Sequence, residues 1–402
     1  MSERPNENPT NGTGYWYKLF NSISEVDAEN WNSVCQNPEE SLFMDLRFIF
    51  AVESTMTQHS KFWHVIFYDS ENIPVACASL CRFKVDLFIF AGKYIKNAGT
   101  FIRSIFPSFM YFNILFCGLP VSVGQNHLRF SPQADQGSII KMLDKILHNL
   151  AISEKVRFIV YKEFDSGSCK RIHSLTEFGY RRTESLPMHY FKPQFSDFAE
   201  YYSALKAHYR YDIKRSMRKF QSVGLKVVRL KDGHKIRNIH TPEVHKLYEA
   251  VVINSENKLE LLPIKFFHEL AIQFPEQISY TLIYQGNHIV AFNCALYSST
   301  SYHFLFCGLN YELNPLADLY FNLIYNDLDN ALQHKVSVIQ VGQTADVFKA
   351  RLGCFQESLY VYVKGVGRFS HGFLDLFFNI IFPPQNVPIT NKVVKSDHYF
   401  SC

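Results

Sequence analysis

The chain has 402 residues, of which 47% are hydrophobic, 19% charged and 16% aromatic. That is enough for two or three globular units, and it excludes the disordered and collagen-like classes. The net charge of +4 is too small for a genome-scale nucleic-acid binder and confines any basic function to a local patch.

The residues from Met1 to Gly14 are polar and rich in Asn, Pro and Gly, without the apolar stretch of a secretory signal. They read as a loose tail. Helical patterns follow at about 25–35 and 45–58. Apolar β-rich runs Phe62 to Tyr68 and Ile73 to Phe83 then flank Asp69-Ser70-Glu71-Asn72, which predicts a hairpin. Ser104 to Val123 is a 20-residue uncharged run, long enough for a membrane span. Pro107, Asn113, Gly118 and Pro120 interrupt it, so Tyr111 to Cys117 reads as a buried strand after a Phe-rich loop or short helix. A helix at about 136–153, a strand Val156 to Lys162, a helix at about 168–178 and a strand ending at Phe191 complete this half.

Between the halves, Lys206, Arg210, Lys214 and Arg218 recur every four residues beside the apolar stripe Tyr209, Ile213, Met217 and Phe220. One basic helix over 206–222 is predicted, ended by Gly224. The second half repeats the order of the first. Helices fall at about 241–254 and 263–274, the hairpin Ser279 to Tyr284 and His288 to Tyr297 turns at Gln285-Gly286-Asn287, and Leu115-Phe116-Cys117-Gly118-Leu119 returns as Leu305-Phe306-Cys307-Gly308-Leu309. A helix at about 316–334, a strand Val336 to Val341, a helix at about 345–352 and a strand Gln356 to Lys364 close it. The repeat offset shrinks toward the end of each copy, so the first copy carries an extra loop after its LFCGL strand. The tail helix Phe369 to Phe382 is apolar nearly all round before Pro383-Pro384. It is expected to be buried or to cover a substrate groove, with contact on a bilayer surface as the alternative.

The predicted class is α+β: two tandem lobes over 15–195 and 196–365, each a mixed, mostly antiparallel sheet flanked by helices, with a 1–14 tail and a 366–402 C-terminal segment. This order resembles the GNAT acyltransferase fold, and its tandem use over about residues 15–365 resembles the FemAB-like family. The resemblance implies acyl transfer, with the basic helix handling phosphate or carboxylate through Arg210, Lys214 and Arg218. Charges spaced i,i+4 repel by roughly 0.2–0.5 kcal/mol per pair, which independently favours an anionic partner there. Val341-Gly342-Gln343-Thr344 leads into a helix carrying Lys349. Gly342 permits close backbone approach, and Thr344 or Gln343 is the expected cap. The segment looks like the family's Gly-x6-Lys motif, whose Lys lies at the reacting centre or on a substrate phosphate.

In GNAT folds the fourth and fifth strands splay, and the gap here would be lined by His303, Phe304, Cys307 and Leu309. His303 is the candidate base and Tyr320 the candidate proton donor to a leaving thiolate. Cys117 and Cys307 have no base at a specifying spacing, so neither is read as a nucleophile. His234, His240 and His245 lack metal-ligand spacing, and no metal is expected. The nine cysteines, without any CxxC pair, read as buried reduced thiols of a cytoplasmic protein. Neither lobe has the glycine loop that cradles a coenzyme A pyrophosphate, and no heptad pair supplies the arm of tRNA-using relatives. The expected function is therefore an N-acyltransferase, catalytic in its second lobe. It moves an acyl group from acyl-CoA or acyl-carrier protein to the amine of a small metabolite, amino acid or sugar, with no tightly bound cofactor, no DNA partner and no transmembrane segment. An aminoacyl-tRNA-dependent peptide ligase and a non-catalytic double-GNAT binding module are the alternatives.

Overall fold

The computed structural model describes residues 8–9, 14–35, 42–58, 60–86, 111–255, 261–383 and 391–395. The chain opens with β1 (Asn8–Pro9) and β2 (Trp16–Phe20), so part of the expected 1–14 tail is paired and the rest lies outside the described residues. Helices α1 (Ala28–Cys35) and α2 (Leu46–Met56) follow, the second started by the Asp45 carboxylate accepting from the Arg47 amide. Strands β3 (Ser60–Tyr68) and β4 (Pro74–Asp86) form the expected hairpin, whose turn is held by Asp69 accepting from the amides of Glu71 and Ile73. Next come β5 (Tyr111–Cys117), β6 (Leu128–Phe130), α3 (Gln136–Ser153), β7 (Phe158–Asp165), α4 (Ser166–Arg171) and β8 (Arg181–Glu184). The Phe-rich stretch before Tyr111 lies outside the described residues.

Strand β9 (Met188–Phe191) leads to α5 (Phe198–Ala204), α6 (Ala207–Ser222), β10 (Lys226–Leu230), α7 (Gly233–Ile239), α8 (Pro242–Asn254) and α9 (Ile264–Gln273). The second hairpin, β11 (Ile278–Gln285) and β12 (His288–Tyr297), is followed by β13 (Ser301–Leu309), α10 (Asn314–Ala317), α11 (Leu319–Gln333), β14 (Val338–Gly342) and α12 (Asp346–Arg351). Strands β15 (Phe355–Glu357) and β16 (Leu359–Gly365) and helix α13 (Arg368–Ile381) end the regular structure.

The chain forms two compact units, and each is built around a mixed sheet. One contains Met1–Leu186 and Ser358–Asn386, the other Pro187–Glu357 and Val387–Cys402. The first sheet runs β1-β2-β3-β4-β5-β7-β16-β8, with β6 added on β4, and the second runs β10-β11-β12-β13-β14-β9-β15. Among the described residues every pairing is antiparallel except β5 with β7 and β13 with β14. The expected division at 195 and 365 is therefore not the one the sheets adopt, because each repeat lends its last strand to the other sheet. Strand β16, of the second repeat, lies between β7 and β8, while β9, of the first, lies between β14 and β15. The chain breaks pairing at Leu186–Pro187 and at Ser358, and Pro187 has no amide to continue a ladder.

In the first unit, side chains alternate along β3, so that Trp63, Val65 and Phe67 join Leu143 and Leu147 of α3 in one core. His64, on the opposite face, meets the Trp31 ring edge-on at 6.2 Å. In the second unit, Leu328 and Leu332 of α11 pack on Tyr302, Phe304 and Ile339. The ring of Phe267 on α9 meets those of Phe292 and Phe306 edge-on. Gly308 of the repeated motif is required by this second face: a Cβ there would overlap the Phe292 ring and lie 2.8 Å from the Leu247 Cβ. Among the described residues no helix is long and apolar enough to cross a membrane. Helix α13 is not buried as expected. It offers Ser370, Leu374, Phe378 and Ile381 to the first unit, whereas Phe369, Leu376, Phe377 and Ile380 are exposed, since one stripe of a helix apolar all round suffices to seat it.

Four histidines of the second unit are held neutral by burial. His240 is lowered to about 3, with His245 and His268 adding to the effect; His189, beside Lys349, His303, and His334, near Lys231, are each lowered to about 4. The unfolded chain takes up these protons near pH 6.5 and the folded chain does not, so stability falls as the pH drops from about 6.5 towards 4. Asp327, raised to about 6 by burial, acts in the opposite direction as a single group. Urea unfolding should therefore show a lower midpoint at pH 4.5 than at pH 7.5, each fully buried histidine costing up to roughly 2.5 kcal/mol of stability. An unchanged midpoint would mean that these rings are solvated.

Candidate active site

The two parallel strand pairs differ at the place where GNAT strands splay. In the second sheet β13 and β14 pair only at Ser301–Val338, Tyr302–Ile339 and His303–Gln340, although β13 continues against β12 as far as Leu309. In the first sheet β5 and β7 stay paired through Cys117–Tyr161. Burial follows the pairing: Leu115, Phe116 and Cys117 are buried, while Leu305, Phe306 and Cys307 at the equivalent positions are partly exposed. The extra loop of the first repeat adds to this closure. Lys162 Nζ donates to the carbonyls of Leu119 (3.2 Å) and Pro120 (3.1 Å), and Ser122 Oγ donates to Glu163. Of the two sheets, only the second has an open wedge among the described residues.

Gly342 ends β14 at this wedge with φ +90°, and the chain enters α12 through Ala345 at φ +64°. Ala345, not the expected Thr344 or Gln343, is the residue at the helix start. One turn later Lys349 points back into the wedge, 3% exposed, and a Cβ on Gly342 would lie 3.3 Å from its Nζ. Among the described residues nothing accepts a hydrogen bond from this ammonium. Burial lowers Lys349 to about 8 against the opposing pull of Cys354, Asp346 and Cys307. Burial also pushes the Cys307 thiol up to about 11 and the Cys354 thiol up to about 12, with Lys349 opposing both. Neutral thiols are poor nucleophiles, in keeping with the sequence reading of Cys307. Tyr320, at the start of α11, is raised by burial and by Cys307 and Cys354 nearby, so its phenol keeps its proton. Its ring lies 5.5 Å from that of Phe348, which stacks on Phe321 at 4.6 Å to wall the α11–α12 side.

His189, on the lent strand β9, has no counterpart in the sequence reading. Its Nδ1–H donates to the Gly342 carbonyl at 2.9 Å, which fixes the tautomer. Its Nε2 accepts from Gln356 Nε2 at 2.8 Å and lies 3.4 Å from an Asp346 carboxylate oxygen. No local pattern marks it, and its neighbours are 153 and 167 positions away.

The remaining sequence candidates lie elsewhere. His303 is the last residue of the paired segment, its ring nitrogens bonded to Gln340 Oε1 and, at 2.8 Å, to Ser301 Oγ. It locks the closed end of the wedge, and a base needs an open nitrogen. Arg210 donates to the carbonyls of Ser203 (3.3 Å) and Leu205, tying α6 to the end of α5. Lys214 and Arg218 are exposed. The residues of α6 that reach α12 and the start of α11 are instead Asp212, paired with Arg351, and Lys219, 2.9 Å from Asp318. These two share a helix edge well away from the 210–214–218 row at about 100° per residue. The wedge thus brings together Gly342, Lys349 and Tyr320, and leaves out His303 and the cationic row.

The model of the FemAB-like family, described as peptidoglycan biosynthesis and recognition, matches residues 22–356. No curated protein matches the chain significantly. Among solved structures, the C-terminal domain of a protein described as a lysylphosphatidylglycerol synthetase, from Agrobacterium fabrum, is similar at a TM-score of 0.51 and 10% identity, covering 91% of this chain and 100% of that one. A tandem GNAT protein from the clavulanic acid biosynthesis pathway gives 0.52 and 9%, covering 88% and 99%. FemX gives 0.51 and 9%, covering 87% and 98%. At these identities the likeness is one of fold.

Proposed function

Because the chain belongs to the FemAB-like family, we propose that it is a cytoplasmic N-acyltransferase that works in the wedge of its second sheet. It would transfer an acyl group from an activated donor to the primary amine of a small metabolite, amino acid or sugar. The observation that carries this reading is a buried lysine ammonium without a protein acceptor at the point where the parallel strands part. In the proposed reaction the acceptor amine attacks the acyl carbonyl, forming a C–N bond as the bond to the leaving sulfur or oxygen breaks. Lys349 donates to the oxygen on which negative charge develops, and a preorganised charged donor in a dry site is worth most there. In this reading Tyr320 gives its proton to the leaving group and is reprotonated through water by the proton that the amine releases. The unpaired edge of β13 from Phe304 onward supplies further backbone groups to the gap.

The start of α11 does not fit a coenzyme A pyrophosphate. Asn310 Oδ1 accepts from the amides of Glu312 and Leu313, Asn314 Oδ1 accepts from the Tyr320 amide at 2.9 Å, and the Asp318 carboxylate lies beside them on Lys219. Those amides serve the protein's own side chains, and a carboxylate stands where a diphosphate would require positive potential. This favours a donor whose phosphates stay outside the wedge: an acyl-carrier protein, or, as the second reading, an aminoacyl-tRNA. A melting scan and turnover assay with acyl-CoA, acyl-carrier protein and aminoacyl-tRNA tests the choice. At about 100 times its dissociation constant the true donor should add roughly 2.7 kcal/mol of stability. Turnover with acyl-carrier protein that survives RNase supports the thioester reading. Loss on RNase treatment supports the tRNA reading, and no turnover with any donor returns the chain to a binding role.

A further inference from the structure

Gly342 lies against the Lys349 ammonium, and a lone pair of its carbonyl is already taken by His189 Nδ1–H. We propose that His189 is the positioning residue of this site: its Nδ1–H holds the Gly342 carbonyl, so that Lys349 stays without a protein partner and turns its ammonium to substrate. The inference rests on the acyl-transfer reading for its purpose, but its geometry stands apart from that reading. Nδ1 is 2.9 Å from the carbonyl oxygen, and Nζ lies 3.3 Å from the site of a Cβ on the same glycine. The ring cannot turn away, because His189 is fully buried and Gln356 holds its other nitrogen at 2.8 Å.

The charged and titratable groups around Lys349 come from five places: Asp346 on α12 itself, Cys354 after it, Cys307 on β13, His189 on β9 and, beside both thiols, Tyr320 at the start of α11. Asp346 is i−3 to Lys349 and has a His189 nitrogen 3.4 Å from its carboxylate. The imidazole therefore engages the backbone oxygen that would otherwise draw the ammonium, while its Nε2 accepts from Gln356 and carries no proton for the Asp346 carboxylate. It does so as a neutral ring, lowered to about 4 by burial and by Lys349. A charged donor in its place would repel the ammonium, and an apolar side chain would release the carbonyl to it.

The test compares His189→Leu, which removes the donor, with His189→Asn, whose amide N–H can take the place of Nδ1–H. The pH dependence of Lys349 acylation by acetic anhydride, read by peptide mass spectrometry, gives the apparent pKa of the amine without any substrate or turnover. In the native protein the titration should centre near pH 8. In His189→Leu it should move up by at least one unit as the ammonium pairs with the freed carbonyl, and His189→Asn should restore most of the native value. Melting curves on both variants keep the comparison to folded protein. If Lys349 titrates identically in folded His189→Leu, or if His189→Asn shifts as far as His189→Leu, the proposal is overturned. A native protein that shows the expected titrations but no turnover would overturn the acyl-transfer reading and leave the positioning role standing.

Discussion

Lys349→Met is expected to reduce turnover by roughly 10²–10⁴-fold, the range over which single charged donors or proton-transfer groups act. The same variant should melt no lower than the native protein. Lys349 is 3% exposed and has no hydrogen-bond acceptor among the described residues, so the folded state carries a desolvation cost that Cys354, Asp346 and Cys307 offset only in part. A methionine of similar volume removes that penalty and keeps the packing against Gly342. Lost activity with retained or raised stability is the signature of a group held for chemistry. Lys349→Arg should not rescue, because a planar guanidinium does not fit the space beside Gly342. Turnover that persists in Lys349→Met would remove the wedge as the reacting centre.

The second large effect concerns the lent strands. Residues 1–195 or 196–402 expressed alone are expected to give no cooperative melting transition. The first fragment lacks β16, an interior strand paired on both edges, whose Leu359, Tyr362 and Val363 are 2%, 0% and 3% exposed. Burying three such side chains is worth roughly 5–9 kcal/mol, comparable with the whole stability of an ordinary domain. The second fragment lacks β9 and with it His189, so it would lose the site as well as the sheet. Circular dichroism melts of each fragment against the full chain decide the matter, and a sharp transition in either fragment alone would contradict the topology.

Much of this was legible in the residues because the duplication is written in local signals. The helix at 136–153, the strand Tyr111 to Cys117 and both hairpins follow from periodicity and turn chemistry that act within a few residues. The strand exchange was not legible. Two strands joined by the three residues Ser185–Pro187 look like one interrupted strand, and which sheet completes the second is set by partners far along the chain. The candidate site divides in the same way. Lys349 and Gly342 share a short segment, so spacing found them. His189 reaches them only through tertiary pairing, and no local pattern marks it. His303 was picked out for being a histidine on the right strand, but the register of β13 with β14 places it one step inside the closed end. The cationic row on α6 is real as a pattern, yet Arg210 serves as a tie between two helices.

The crossed strands also set an order on synthesis. When the ribosome has made β7 and β8, the place between them must stay empty until β16 emerges, some 175 residues later. At ordinary elongation rates of about 5–20 residues per second that interval is on the order of ten to forty seconds. Throughout it the growing chain carries two unpaired strand edges in its first unit, the kind of edge that recruits foreign strands. The second unit, by contrast, has all its strands in hand once β15 has emerged. The sheet begun first is thus the last to be completed.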